Sequence, residues 1–137
     1  MASTRDYLIV TNNPLVRDCL ADRYEIRCFG ECSYRDILVK VRDLIYAGHT
    51  LYTHPLAGSV KPNETPYRSV VISKVPHVFS AEQAQIIAES VAAFDRFRVR
   101  DRELTERLRK DFQLIDYTLL CGALDVDAAA GLSKVES

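Results

Sequence analysis

The residues best suited to chemistry lie in one unusual segment, residues 55–67. This segment shows neither helical nor strand periodicity, and it holds three of the chain's five prolines. Long connections in a small domain tend to be either disordered or functional, and prolines stiffen the backbone, which argues against disorder. We therefore predict a rigid loop that presents polar groups at a fixed geometry. Its polar side chains are those of Ser59, Lys61, Asn63, Glu64, Thr65 and Tyr67.

A second polar cluster, Thr11-Asn12-Asn13, follows a short apolar run and precedes Pro14. Asparagine is a favoured helix N-cap and proline a favoured first helical residue, so a helix is predicted to begin here. The backbone N–H groups at such a helix start attract anions, and basic groups of the loop would complete a phosphate or carboxylate site. The predicted ligand-binding residues are Thr11, Asn12, Asn13, His54, Gly58, Ser59, Lys61, Asn63, Glu64, Thr65, Tyr67 and Arg68.

Each of these residues also has a purely structural interpretation. Asn12 and Asn13 are good turn and cap residues in any protein, and a histidine such as His54 more often satisfies local hydrogen bonds than it binds or catalyses. Ser59, His54 and Glu64 are the residue types of a hydrolytic triad, but no G-x-S-x-G turn surrounds the serine. Walker A and dinucleotide-binding motifs are absent from the sequence as well. The catalytic residues and the cofactor are therefore left open.

The cysteines and histidines form no metal-binding or redox motif. No two cysteines form C-x-x-C, and the closest pair, Cys28 and Cys32, has three residues between its members. His49 and His54 lie five positions apart in a predicted strand and so face opposite sides. We predict no metal site and four free, partly buried thiols, with a metal or redox role as the alternative. The four cysteines are Cys19, Cys28, Cys32 and Cys121.

Alternating strand and helix patterns position the two polar clusters. Apolar or alternating runs predict strands over residues 7–10, 24–29, 49–54 and 68–74. Helices are predicted over residues 14–22, from Ser33 to Gly48, from Ser80 to about residue 94, and from about Arg98 or Asp101 to Cys121. The second helix has the strongest signal, because Ser33 and Asp36 form a capping-box pattern ahead of a regular apolar stripe.

These elements predict one α/β domain over residues 1–124, followed by a tail over residues 125–137 that is flexible or helical only in part. The pattern favours a three-layer αβα fold with a small, mostly parallel sheet of about four strands and a helical C-terminal third. The predicted strand order is 2-1-3-4, with an antiparallel fourth strand as an alternative because no helix precedes it. In that order strands one and three are neighbours, so both polar clusters meet where α/β sheets bind ligands.

Composition and charge exclude several classes of function. The 137-residue chain is 47% hydrophobic and 27% charged, which is typical of a globular domain. Its net charge of -1 provides no basic field for a nucleic acid and no polybasic segment for an anionic membrane. No run approaches the ~18 apolar residues of a membrane span, and the first residues lack a secretion signal. We expect a cytoplasmic protein with neither a nucleic acid nor a membrane as its partner.

Several stretches of the chain resemble the GrdX family. They are residues 10–16, 38–43 and 48–49 and, above all, the loop region 53–67, THPLAGSVKPNETPY. The resemblance covers roughly residues 7–95 and includes neither the charged helix nor the C-terminal tail. GrdX proteins are small proteins encoded beside the glycine reductase genes of anaerobic, amino-acid-fermenting bacteria. The resemblance implies an accessory role near a selenium- and thiol-dependent reductase system, and it implies no particular activity or cofactor.

Three functions follow as hypotheses. The first is an accessory or regulatory protein that binds a small anionic metabolite, or a glycine reductase component, at the loops after strands one and three. The second is a small enzyme acting on a carboxylate or phosphate compound, with His54 as acid or base and Lys61 or Arg68 as an electrostatic clamp. The third is a homo-oligomer subunit with the long C-terminal helix as the interface. The first is favoured, because no nucleophile stands beside an evident base.

Overall fold

The computed structural model describes residues 6–57, 64–97 and 103–136 of the chain. Within these ranges the chain forms three strands and five helices, which confirms the predicted α/β class. The strands are β1 (Tyr7–Thr11), β2 (Glu25–Cys28) and β3 (Ser69–Ser73). The helices are α1 (Pro14–Leu20), α2 (Tyr34–Tyr46), α3 (Ala81–Arg96), α4 (Glu106–Leu124) and α5 (Ala128–Glu136).

Strand β1 lies at the centre of the sheet, as its continuous apolar run predicts. The sheet has the order β2-β1-β3, in which β1 pairs parallel with β2 and antiparallel with β3. Leu8, Ile9 and Val10 are fully buried, as expected of a strand covered on both faces. In β2 exposed and partly buried residues alternate, which confirms its predicted position nearer an edge.

The predicted third strand, over residues 49–54, is wrong. This segment contributes one isolated antiparallel bridge, between Leu51 and Ile72, on the side of β3 that faces away from β1. The predicted order 2-1-3-4 is wrong for the same reason, since the second neighbour of β1 is the predicted fourth strand. Within the described residues the sheet has three strands rather than about four. The predicted fourth strand is β3, and it runs antiparallel to β1, as the alternative prediction for its direction stated. A parallel neighbour needs a crossover, usually a helix, and the described residues between the two segments form none.

The side chain of Gln83, in the first turn of α3, completes the outer edge of the sheet beside Leu51. Its amide oxygen accepts a hydrogen bond from the Leu51 N–H (2.8 Å), and its amide nitrogen donates to the Leu51 carbonyl (3.4 Å). Another strand would use the same two backbone groups. Ser80 caps α3 as predicted by accepting from the Gln83 N–H (3.3 Å), but the Gln83 side chain is used at Leu51 and does not complete a capping box.

Helices cover both faces of the sheet, which confirms the three-layer αβα arrangement. Helices α2 and α3 cover one face, where the buried cluster includes Val10, Ile37 and Ile87. Helices α1 and α4 cover the other face, where the buried cluster includes Ile9 and Tyr117. The alternation of β1 side chains between the two clusters is the period-two pattern of a strand buried on both sides.

Local capping fixes where α2 and α4 begin. Ser33 and Asp36 form the predicted capping box, because each side chain accepts a hydrogen bond from the backbone N–H of the other (3.1 and 3.0 Å). Helix α4 begins later than predicted, because Thr105 is its N-cap and accepts from the Leu108 N–H (3.2 Å). The rest of the predicted start, residues 98–102, lies outside the described residues. No helix in the described ranges has the length and hydropathy of a membrane span.

The C-terminal segment, expected to be flexible or helical only in part, contains helix α5. The Tyr117 hydroxyl of α4 donates a hydrogen bond to the Ala128 carbonyl at the start of α5 (2.7 Å). Gly131 of α5 lies so close to Tyr117 and Cys19 that a Cβ atom there would meet both residues. Helix α5 therefore packs against α1 and α4, and the domain boundary at residue 124 stays a prediction.

The outward face of α4 exposes several large apolar side chains. Leu108, Leu114, Ile115 and Leu119 are each between 37% and 43% exposed. Leu108, Ile115 and Leu119 are spaced so that they fall on one face of the helix. Clustered apolar exposure of this kind is typical of interaction surfaces. The hypothesis of a homo-oligomer that associates through α4 stays a prediction.

Candidate functional site

The two predicted polar clusters meet at Arg68, directly before β3. The Arg68 backbone N–H donates a hydrogen bond to Oδ1 of Asn12 (2.9 Å). Its guanidinium donates through Nη1 to the Ala57 carbonyl (2.6 Å) and through Nη2 to the His54 carbonyl (3.1 Å). The antiparallel pairing of β3 with β1 places the start of one strand beside the end of the other. The structure thus brings the described parts of both clusters together, although not through the predicted strand order.

Asn12 links three segments of backbone and is not left free for a ligand. Its Nδ2 donates hydrogen bonds to the carbonyls of Cys32 (2.9 Å) and Pro66 (2.7 Å). Its Oδ1 accepts the hydrogen bond from Arg68, so both amide hydrogens and the amide oxygen are used. Asn12 thereby holds the turn before α2 and the segment before β3 against the end of β1.

Asn13 caps α1 as predicted, because its Oδ1 accepts a hydrogen bond from the Leu15 N–H (3.0 Å). Its Nδ2 donates to the Gln113 carbonyl (2.9 Å) and to Oδ2 of Asp116 (3.0 Å), both on α4. Asn13 itself is fully buried. The start of α1, which was predicted to attract an external anion, is therefore covered by α4 and faces the carboxylate of the protein's own Asp116.

Asp116 is a buried carboxylate that the sequence analysis did not single out. It is 5% exposed, and its Oδ2 accepts hydrogen bonds from the Ser69 hydroxyl (2.7 Å) and from Asn13. The Ser69 hydroxyl is also hydrogen-bonded to that of Thr11 (2.7 Å), which places the predicted residue Thr11 in the same network. Burial raises the pKa of Asp116, and its hydrogen bonds and the charge of Arg68 partly oppose the rise.

Asp116 is expected to make the protein less stable as the pH rises from the acidic range towards neutrality. Because folding raises the pKa of this carboxyl, its stabilising contribution is largest below the unfolded-state pKa and is lost as the pH rises through the folded-state pKa. Asp116→Asn keeps a neutral acceptor and is expected to remove this pH dependence. Urea denaturation between about pH 4 and about pH 8 measures it. The free energy of unfolding of the variant, relative to that of the wild type, should increase with pH.

Asp95→Asn is the control for this experiment, with the opposite sign. Asp95 is exposed, and its hydrogen bonds to Arg35 lower its pKa. A carboxyl whose pKa is lowered on folding contributes stability that is lost as the pH falls through its folded-state pKa. Between about pH 4 and about pH 8 the difference in stability between wild type and Asp95→Asn should therefore stay nearly constant, whereas that between wild type and Asp116→Asn should change. A difference between wild type and Asp116→Asn that does not change with pH would contradict the prediction.

A cavity of about 80 Å³ lies between Arg68 and Asp116. Arg68 is only 7% exposed, and its Nε is buried without a hydrogen-bond partner among the residues that the structure describes. Buried polar groups in native proteins are nearly always hydrogen-bonded, so this nitrogen is a donor that an acceptor placed beside it would satisfy. The residues lining the cavity are Thr53, Ala57, Arg68, Ser69, Asp116, Leu119, Leu120 and Ala123.

A wider cleft of about 550 Å³ lies beside Asn12 and the start of α2. Thr65 and Tyr67 line it, and Oγ1 of Thr65 accepts a hydrogen bond from the Tyr67 N–H (3.2 Å). The Tyr67 hydroxyl accepts from Nε2 of Gln113, which ties this predicted residue to α4 (2.9 Å). The charged residues of the cleft are exposed, so it lacks the desolvated charge that the smaller cavity has. These charged residues are Glu31, Arg35 and Arg109.

The remaining predicted site residues lie away from the cavity or outside the described ranges. The His54 side chain is exposed, and its Nδ1 accepts a hydrogen bond from the Leu56 N–H (3.1 Å), which supports the local structural interpretation. Glu64 is half-buried just before Thr65. The predicted roles of four residues stay predictions, because these residues lie outside the described ranges. They are Gly58, Ser59, Lys61 and Asn63.

The four cysteines are free thiols, as predicted. Burial raises the pKa of Cys19, Cys28 and Cys121, which keeps these thiols protonated and unreactive. Among the residues that the structure describes, no group of three or more His, Cys, Asp or Glu side chains is placed to hold a metal ion. The candidate site is therefore the charged cavity at Arg68 and Asp116.

The fold and the site define a small three-layer α/β protein with a buried arginine and a buried carboxylate around one cavity. The chain belongs to the GrdX-like family, because the family model described as GrdX-like protein matches residues 8–125. This match confirms the resemblance seen in the sequence and extends it from about residue 95 through α4. No curated protein and no solved structure matches the chain.

Proposed function

We propose that this member of the GrdX-like family is an accessory or regulatory protein that binds a small anion in the cavity beside Arg68. Membership of the family supports the accessory role. The loop region that carries the resemblance also supplies Thr53 and Ala57 to the cavity wall. A glycine reductase component is the alternative partner for the same surface, suggested by the genomic context that the resemblance implies.

The observation that carries the proposal is the environment of the Arg68 guanidinium. Its two terminal nitrogens are fixed by the carbonyls of Ala57 and His54, so the group is held in one orientation. Its Nε is buried and has no hydrogen-bond partner within the described ranges. A fixed guanidinium that is shielded from water attracts a carboxylate or a phosphate more strongly than an exposed and mobile one does. Preorganisation of this kind also reduces the entropy lost on binding.

Catalysis by His54 receives less support from the same geometry. His54 is exposed and is not among the residues that line the cavity at Arg68. Its Nδ1 is already used as an acceptor within the turn. A general acid or base must lie within hydrogen-bond reach of the group it protonates or deprotonates. Binding without catalysis is therefore the function that the cavity favours.

Isothermal titration calorimetry with sodium acetate at constant ionic strength tests the proposal. We expect saturable binding at one site per chain, and a rise in unfolding free energy of about 2.7 kcal/mol when acetate is at about a hundredfold excess over its Kd. Sodium chloride at the same ionic strength is the control for general salt effects. If acetate, formate and phosphate all fail to bind, or if they bind equally well to a folded Arg68→Lys variant, the proposal is wrong.

A further inference from the structure

The outward face of α4 carries an apolar seam with the spacing of a coiled coil. The α4 seam consists of Leu108, Phe112, Ile115 and Leu119, at intervals of four, three and four residues. At about 100° per residue these side chains form one narrow stripe along the helix. Three of them are exposed, and Phe112 is half-buried. A stripe with this spacing is typical of a helix that packs against another helix.

The α4 seam is complementary to a second copy of itself. Its intervals read the same in both directions along the helix, so a twofold axis across the seam brings equivalent layers together. Leu108 of one copy then lies beside Leu119 of the other. In the next layer Phe112 lies beside Ile115, so each layer pairs two large apolar side chains. A twofold interface uses the same patch on both copies, and twofold dimers are the commonest oligomers.

The charges of α4 favour an antiparallel pair over a parallel one. The first turns of α4 carry the exposed basic residues Arg107, Arg109 and Lys110, whereas the exposed Asp125 and Asp127 follow its last residue. An antiparallel pair directs the basic turns of one copy towards the acidic end of the other, and it also aligns the opposite partial charges of the helix ends. A parallel pair would bring the basic turns of both copies together.

The α4 seam borders the mouth of the cavity beside Arg68. Leu119 belongs both to the seam and to the cavity wall. Leu119, Ala123 and Ala57 line the cavity and are exposed as well. Residues that line a cavity and are also exposed lie where it reaches the surface, so the mouth opens beside the seam. A helix that packs on the seam would therefore also cover the mouth.

We propose that two copies of this chain form an antiparallel dimer through the α4 seam, and that each copy covers the cavity mouth of the other. The cover removes water from the Arg68 guanidinium, and this costs less once an anion balances its charge. Anion binding therefore favours dimerisation, and dimerisation favours anion binding to the same extent. This coupling rests on the proposed function, whereas the dimer interface does not.

Analytical ultracentrifugation of the full chain in sodium chloride tests the interface. One helix pair is a small interface, so we expect weak association, with the average mass rising from 15.5 kDa towards twice that value between about 10 µM and about 1 mM chain. Ile115→Glu places a charge in the middle of the seam and should weaken association at least about tenfold.

Leu114→Glu is the matched control for Ile115→Glu. Leu114 is 43% exposed and Ile115 is 40% exposed, but Leu114 lies about 100° around the helix, outside the seam. We expect this control to dimerise like the wild type. Both positions are exposed, so both variants should fold, which circular dichroism checks. A wild type that stays monomeric over the whole concentration range, or two variants with equal effects, would overturn the proposal.

Disulfide cross-linking under mild oxidation tests the orientation of the two helices and needs no disruptive charge. We expect a mixture of the Leu108→Cys and Leu119→Cys proteins to form a covalent dimer with one chain of each kind. Neither protein alone should cross-link more than the wild type, which is the control for the native thiols. Cross-linking of each variant with itself, and none in the mixture, would show a parallel pair and overturn the proposal.

Sodium acetate in place of sodium chloride, at the same ionic strength, tests the cover over the cavity. We expect saturating acetate to lower the dissociation constant of the dimer at least about tenfold. If acetate binds and leaves that constant unchanged, the second copy does not cover the cavity, while the proposed function stands. If acetate does not bind and the chain still dimerises in chloride, the proposed function and the coupling fail, while the interface stands.

Discussion

Replacing Arg68 by methionine is expected to lower the free energy of unfolding by about 3 kcal/mol and to abolish the binding of acetate. The guanidinium is 7% exposed and donates to the carbonyls of Ala57 and His54. Its loss leaves both acceptors without their donor and removes the positive charge that favours the ionised form of Asp116. Leaving a buried hydrogen-bonding group unsatisfied costs about 1–3 kcal/mol, and the flexible methionine chain fills part of the space.

Urea denaturation measures the stability of the Arg68 variants, and calorimetric titration measures acetate binding. Arg35→Met is the matched control, because Arg35 is exposed and pairs with the exposed Asp95 (2.8 Å), and surface pairs of this kind contribute little. Arg68→Lys keeps the charge but not the planar fork, so it should recover part of the stability and little of the binding. A folded Arg68→Met variant that still binds acetate with wild-type affinity would rule out the proposed site.

Gly131→Ala is expected to destabilise the protein by about 2 kcal/mol, although alanine is ordinarily the better helix former. A Cβ atom at this position would overlap with the Tyr117 hydroxyl and would lie 3.1 Å from Cβ of Cys19. Tyr117 cannot move away easily, because it is fully buried and its hydroxyl donates to the Ala128 carbonyl. The cost of overpacking, about 1–3 kcal/mol, therefore outweighs the helix propensity that alanine adds.

Gly122→Ala is the matched control for the Gly131 variant. Gly122 lies inside α4, and an added Cβ would have no atom within 4 Å, so we expect stabilisation by about 0.5–1 kcal/mol. Tyr117→Phe removes the atom that the new methyl group meets, and it should reduce the cost of Gly131→Ala in the double variant. Thermal or urea denaturation of all four proteins checks these signs. If Gly131→Ala stabilises as much as Gly122→Ala, α5 does not pack as described.

The elements that could be predicted from the sequence are those whose signals are local. Helix α2 has its capping box and its apolar stripe within its own residues, and β1 has a continuous apolar run. Residues 49–54 alternate in sequence like a strand, but they form only the bridge at Leu51. Two of their backbone N–H groups donate to the side chains of Ser73 and Gln83, which no local pattern reveals.

The candidate site could be predicted only in part. The sequence indicated that the asparagine cluster and the loop before β3 would meet, and Asn12 and Arg68 do so. It did not indicate Asp116, because the role of this aspartate depends on a hydrogen bond from Asn13 that forms only when α4 packs over the start of α1. Its position between Ile115 and Tyr117 is the one signal that could have found it, since a charge among apolar residues is unusual in a helix stripe.

The pairing of Gln83 with Leu51 has a consequence for how copies of this chain meet. An uncovered sheet edge is a template on which a second chain can add a strand, and repeated addition leads to fibrils. On one side of the sheet the side-chain amide of Gln83 already forms hydrogen bonds with the backbone N–H and carbonyl of Leu51. On the other side β2 displays the exposed charges of Glu25 and Arg27, which also discourage strand addition. Polymerisation by strand addition is therefore disfavoured at both edges of the sheet. Copies of this chain that associate are expected to do so through their helices.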